Sequence, residues 1–105
     1  MVDLNWENFK AEVLKSRGLF LVDFWSPVCS PCQKMSLILD NVSQEVKEVK
    51  FGKVNILEEP EIARNYKIPA TPTIIIFKDG EVIERAAGLR SEQVIINKLN
   101  SLMGL

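Results

Sequence analysis

The only two cysteines of this chain, Cys29 and Cys32, stand three positions apart at the seam between a strand and a helix. They lie in the run Phe24-Trp25-Ser26-Pro27-Val28-Cys29-Ser30-Pro31-Cys32. The apolar stretch before it, Leu19–Trp25, reads as a buried strand. The amphipathic stretch after it, Gln33 to Val49, reads as a helix. A strand feeding a helix in this way belongs to a strand–helix–strand unit. The first sulfur then lies at a helix N-terminus, where unpaired N–H groups and the macrodipole favour an anion. That environment lowers the thiol pKa and produces the thiolate, which is the nucleophile. The second sulfur sits about one turn further on, close enough to close a disulfide with the first. The chemistry indicated is dithiol–disulfide exchange.

The other elements follow in order. Asn5 suits the N-cap of a first helix with Trp6, Phe9, Val13 and Leu14 on its apolar face, and Arg17-Gly18 ends it. Leu19–Trp25 is apolar on both faces, as a central strand covered on both sides should be. The helix after the cysteines carries Met35, Leu37, Ile38, Leu39, Val42 and Val46 and fades near Lys47–Lys50. Phe51–Ile56 reads as a second core strand, and Glu58-Glu59-Pro60 opens a short helix, Glu61–Tyr66. The β-branched run Thr73–Phe77 leads into Lys78-Asp79-Gly80-Glu81, which carries the Asp-Gly signal of a hairpin turn. Val82–Ala87 is its antiparallel partner. Gly88 breaks that strand, and Ser91 caps a last helix lined by Val94, Ile95, Leu99 and Leu102. A short extra strand fits at Val2–Leu4. Strand–helix–strand units imply parallel pairing, and the final hairpin adds an antiparallel edge. With 105 residues and no repeat or linker, residues 1–105 are expected to form one domain.

Charge and composition exclude several classes. A net charge of -1 with no long run of one sign gives no electrostatic pull toward nucleic acid or an anionic membrane. No apolar stretch approaches the ~20 residues that span a bilayer. Met1-Val2-Asp3-Leu4-Asn5-Trp6 shows neither the basic start nor the apolar core of a signal peptide, so a cytoplasmic location is expected. There a lone cysteine pair is catalytic or metal-binding rather than a structural staple. Tetrahedral zinc needs more than two sulfurs, and the chain has no histidine to add, so a zinc site would require a second copy.

Asp23 is the sharpest single residue after the cysteines. A carboxylate in the middle of Leu-Phe-Leu-Val-Asp-Phe-Trp is costly to bury, and desolvation raises its pKa. Lys53, on the adjacent strand, is a candidate partner. Pro31 suits the first turn of a helix and fixes the backbone between the sulfurs. Ser30 either donates to the Cys29 thiolate or is a small turn residue. Trp25 directly precedes the cysteine loop and either shapes it or packs in the core.

Val22-Asp23-Phe24-Trp25, Cys29-x-Pro31-Cys32, Lys53-Val54-Asn55, Ala70-Thr71-Pro72-Thr73, Phe77-Lys78-Asp79-Gly80 and Gly88, in this order, resemble the thioredoxin family over nearly the whole chain. The resemblance implies an α/β thioredoxin fold, with a central mixed four- to five-stranded sheet flanked by helices on both faces. It implies a thiol–disulfide oxidoreductase that reduces protein disulfides, with Cys29 attacking and Cys32 resolving. Asp23 would be a buried carboxyl beneath the cysteines that moves protons to and from Cys32. Thr71-Pro72 would be a cis peptide facing the disulfide, with the Thr71 backbone free to pair with an extended substrate. Gly88 either allows close approach of a substrate chain or simply ends its strand, and Val28, Ile68, Ala70 and Leu89 form either an apolar docking patch or part of the core rim. The implied partners are protein disulfides and a thioredoxin-reductase-like flavoprotein; the chain is expected to be a monomer, and no bound cofactor is needed for the exchange.

Two positions depart from the family pattern. The usual Trp-Cys-Gly-Pro-Cys is here Val28-Cys29-Ser30-Pro31-Cys32, and a customary proline five residues after the second cysteine is Leu37. Both bear on potential and partner. Two other readings stay open at this level: a disulfide oxidant or isomerase, and a non-catalytic binding subunit whose disulfide only fixes its shape.

Overall fold

Alternation along one strand decides the architecture. In the computed structural model, which describes residues 1–105, β2 (Leu19–Trp25) runs through the centre of a five-stranded sheet of order β1-β3-β2-β4-β5. The flanking strands are β1 (Val2–Asp3), β3 (Lys50–Asn55), β4 (Thr73–Lys78) and β5 (Glu81–Ala87). Successive side chains of a strand point to opposite faces. Leu19 and Leu21 therefore enter one core, with Phe51, Ile74 and Ile76, under helices α1 (Ser30–Glu45) and α3 (Glu92–Leu102). Phe20, Val22 and Phe24 enter the other, with Val54, Ile75 and Phe77, under a π-helical segment (Lys10–Leu14) and α2 (Pro60–Asn65). Asp23 and Trp25 share the parity of Leu19 and Leu21, so both lie on the α1 side.

The strands pair as the apolar pattern requires, with one difference from expectation. β2 and β3 run parallel through α1, and β1 extends this half in parallel with β3. β4, however, runs antiparallel to β2. α2 does not carry the chain back along the sheet: its six residues rise about 9 Å, less than half the length of β3 at ~3.3 Å per residue. The chain re-enters near where β3 left off, and β4 runs back along β2. β5 then folds back on β4 through Asp79 and Gly80, whose φ values of 51° and 84° form the mirror-image turn suited to hairpins. The Asp79 carboxylate accepts the Gly18 N–H at 2.7 Å and ties this turn to the start of β2.

Three helices differ at their edges. Asn5 and Asn8 cap each other reciprocally, each side-chain oxygen accepting the other's N–H at 2.8 and 2.9 Å. The helix they open is short and widens to π spacing. Phe9 and Val13 are buried, whereas Trp6 stays 54 % exposed and Leu14 lies at the surface. α1 starts at Ser30, three residues before the predicted Gln33, and stops at Glu45; Val46 and Val49 still reach the core from non-helical backbone. The Ser91 hydroxyl accepts the Val94 N–H at 3.2 Å and caps α3. Ile95 and Leu99 face the core, and Val94 faces out.

Register gathers the loops that matter at one end of the sheet. Thr73 pairs with Phe24 on one side and with Ala87 on the other. Pro72 and Gly88 are the next residues outward, beside the turn where Trp25 leads to the cysteines. Gly88, at φ 91°, donates its N–H to the Pro72 carbonyl at 2.7 Å and locks the two loops together.

Candidate active site

Cys29 and Cys32 are joined in a disulfide with their Cα atoms 5.3 Å apart. Cys29 is the N-cap of α1 and half-buried; Cys32, in the first turn, is 2 % exposed. A capping side chain can accept from the second or third residue of the helix. Pro31 occupies the second place and has no N–H, which leaves the Cys32 amide as the local donor to a Cys29 thiolate. That amide now donates to the Cys29 carbonyl at 3.2 Å. Ser26 shapes the loop before the cap. Its carbonyl accepts the Cys29 N–H at 3.2 Å, and its buried hydroxyl accepts the Val28 N–H at 3.3 Å. The tight loop leaves the Val28 side chain 85 % exposed beside the disulfide. Ser30 is exposed and its hydroxyl has no protein partner.

Below the disulfide a cleft of about 470 Å³ opens between β2, β3 and α1. Cys32, Gln33, Ser36 and Leu37 form its helical wall, and Asp23, Trp25 and Lys53 its sheet wall. Asp23 is 1 % exposed, and its Oδ1 has no hydrogen-bond partner. Desolvation pushes its carboxyl up from 3.8 to about 7. The Lys53 ammonium pulls in the opposite direction, and the Asp40 carboxylate adds to the rise. Among the ionisable groups this one is therefore poised to gain and lose a proton near neutral pH.

Lys53 lies beside Asp23 in the β2–β3 register, but the two do not form an ion pair. Its Nζ leans the other way, 3.8 Å from Asp3 on β1 and 5.6 Å from the centre of the Trp25 ring. The half-exposed ammonium gains more from a solvated carboxylate and an aromatic face than from entering the interior. Trp25 closes the cleft on the loop side, half-buried, with its indole N–H unpaired.

The Thr71-Pro72 peptide is cis. Pro72 is buried, Thr71 is half-buried, and neither the N–H nor the C=O of Thr71 bonds within the chain. Of the apolar rim, Val28, Ala70 and Leu89 are exposed. Ile68 is half-buried and packs against the core formed with Phe24 and Ile62. Ser26, Ser36 and Asp40 belong to the site without an obvious motif. For Ser36 and Asp40 the available signal is spacing: they follow Cys32 by four and eight residues, one stripe of a helix.

Comparison with known proteins agrees with this geometry. The family model described as Thioredoxin matches residues 1–101. A thioredoxin of Chlamydia pneumoniae is 38 % identical over 94 residues, covering 90 % of each chain. One from Rickettsia felis is 42 % identical over 94 residues, covering 89 % of this chain and 90 % of its own. Thioredoxin 1 of Synechococcus elongatus is 40 % identical over 93 residues, covering 88 % and 87 %. These relatives do not favour the oxidant, isomerase or purely structural readings. The chain belongs to the thioredoxin family, and its Cys29–Cys32 pair makes it a thiol–disulfide oxidoreductase that reduces protein disulfides.

Proposed function

We propose that Cys29 is the attacking thiol, Cys32 the resolving thiol and Asp23 the base of the resolving step. The Cys29 thiolate attacks one sulfur of a substrate disulfide, forms a mixed disulfide and expels the other sulfur as thiolate. The Cys32 proton passes to the Asp23 carboxylate. The Cys32 thiolate then attacks the Cys29 sulfur, the internal disulfide forms and the second substrate thiolate leaves. Two electrons have moved from this protein to the substrate. The observation that carries the reading is the asymmetry of the sulfurs: Cys29 is half-buried at a helix N-terminus, and Cys32 is buried over a carboxyl with a pKa near 7.

The supporting residues follow from the same layout. Pro31 and Ser30 set the backbone between the sulfurs, and Trp25 and Lys53 form the wall of the cleft beside Asp23. Thr71 offers its unpaired backbone groups to an extended substrate segment, with Pro72 and Gly88 holding that loop and Val28 supplying exposed apolar contact. The oxidised pair returns to the dithiol through a flavoprotein of the thioredoxin-reductase kind, and the chain carries electrons between the two as a cytoplasmic monomer. No helix is long and apolar enough to cross a membrane.

Serine variants of the two cysteines test the assignment. Cys32→Ser should attack but not resolve, and should accumulate a covalent complex with insulin that appears on a non-reducing gel and disperses with dithiothreitol. Cys29→Ser should form no such complex and reduce nothing. The opposite pattern would exchange the two roles. Wild-type activity in both variants would end the reading.

A further inference from the structure

One stripe of α1 carries a sulfur, a hydroxyl and a carboxylate at four-residue spacing: Cys32, Ser36 and Asp40. Ser36 is half-buried and lines the cleft that contains Asp23 and Cys32. Its hydroxyl has no hydrogen-bond partner in the chain. Across the same cleft the buried Asp23 Oδ1 also has none. A buried carboxylate oxygen without a donor is costly, and a serine hydroxyl can turn between rotamers to supply one. Of the other lining residues, the Lys53 ammonium is turned toward Asp3, the Ser26 hydroxyl already accepts the Val28 N–H, and the unpaired Trp25 indole N–H lies two residues along the same strand face, whereas Ser36 stands on the opposite, helical wall.

We propose that Ser36 is a positioning residue for the resolving step: its O–H donates to the ionised Asp23 carboxylate across the cleft, directly or through one bridging water. This rests on Asp23 acting as the base for Cys32. Ser36 itself neither gains nor loses a proton. It favours the charged form of Asp23, so more of the base is ready at a given pH. When the Cys32 proton arrives at Asp23, the hydroxyl remains as acceptor or donor, because it can serve as either. The charged and titratable groups facing Asp23 are Lys53 from β3 and Cys32 and Asp40 from α1, while β4 faces it with Ile74. Lys53 and Ser36 thus act in one direction and burial and Asp40 in the other.

The test is a titration of Asp23 by carboxyl carbon NMR in the reduced protein, for wild type, Ser36→Ala and Ser36→Thr. Removing the hydroxyl should move the Asp23 midpoint upward by about one pH unit, and threonine should restore it. Single-turnover release of a chromogenic thiol from Cys29 should become several-fold slower at pH 7 in Ser36→Ala and match wild type at pH 9. An Asp23 midpoint unchanged in Ser36→Ala would overturn the proposal. The base assignment has its own readout: if Asp23→Asn released the thiol at the wild-type rate at every pH, that assignment would fall whatever Ser36 did to the titration.

Discussion

The two faces of β2 are built from the same strand yet do different work. Toward α2, Phe20, Val22 and Phe24 share a core with Phe9, Tyr66 and Phe77; the Phe24–Tyr66, Phe9–Tyr66, Phe9–Phe77 and Tyr66–Phe77 ring centres lie 5.5–6.2 Å apart in tilted and edge-on pairs. The polar groups there are the Tyr66 hydroxyl, whose pKa burial pushes upward, and the buried Thr73 hydroxyl, which donates to the Ala70 carbonyl at 2.6 Å. Toward α1, Leu19 and Leu21 begin an equally apolar row, and the third place is Asp23. There the packing stops and a cleft begins. One face is filled by interlocking side chains. On the other the packing stops near one end, where the buried Asp23 carboxyl lines the cleft together with Cys32. Both faces hold a core, and only the α1 face also opens the cleft at Asp23; substitutions in the core and at the cleft should separate stability from chemistry.

The largest effect is expected on the filled face. Phe24→Ala should cost about 3–5 kcal/mol, through lost burial and the cavity left among Phe9, Tyr66 and Phe77. Insulin reduction by the fraction that remains folded should be close to wild type. Folded Phe24→Ala with no activity would break the division between core and cleft.

Asp23→Asn should have the opposite pair of effects: a more stable fold above neutral pH and slower resolution. In wild type the folded carboxyl titrates at about 7 and the unfolded one at 3.8. The folded state therefore holds the proton through that window while the unfolded state releases it. Stability from this group is fully present below about pH 4, falls as pH rises through the window, and levels above about pH 7. The total loss is on the order of 4 kcal/mol. Denaturant midpoints at pH 5 and pH 9 check it: the advantage of Asp23→Asn should grow between them. An equal difference at both would show that Asp23 is not a buried carboxyl.

Gly52→Ala examines the filled face at finer scale. A Cβ there would lie 2.7 Å from Leu4 Cδ1 and 3.0 Å from Phe20 Cε1, against side chains held in a close-packed core. The variant should lose about 1–3 kcal/mol in denaturant unfolding. A neutral result would mean that this core yields more readily than its burial implies.

The smallest effects concern the charges around the cleft. Lys53→Met removes the ammonium that draws the Asp23 pKa down, so the pH at which resolution reaches half its maximum should rise. Asp40→Asn removes the carboxylate that pushes it up, so that pH should fall. Both variants should stay within about 1 kcal/mol of wild type in stability, since each charge is at least partly solvated. Shifts of the same sign in both would show that the profile reports a group other than Asp23.

Much of this division is legible in the sequence, because the signals are local. The continuous apolar run from Leu19 to Trp25 marks a strand covered on both sides, and an aspartate inside that run is conspicuous. Cys29 and Cys32 before an amphipathic stretch place a sulfur at a helix start. Asp79-Gly80 fixes a two-residue hairpin, and Ser91 starts the last helix. Each rests on backbone preference or on the spacing of neighbours in the chain, and none needs a partner from elsewhere.

What the sequence leaves to the tertiary structure is everything set by pairing across distance. The direction of β4 depends on which end of the sheet the connection through α2 re-enters. Lys53 turns to Asp3 rather than Asp23 because β1 pairs with β3, and a two-residue strand gives almost no signal for its register. Ile68 packs inward because α2 and the loop after it fold against the sheet. The cleft that brings Ser36 and Asp23 to one space exists only once α1 lies across β2 and β3. The residues themselves fix which groups are reactive and which must be buried, through propensity, period and desolvation. Only the packed chain fixes which of them share a space, because that depends on register and helix placement between segments far apart in sequence.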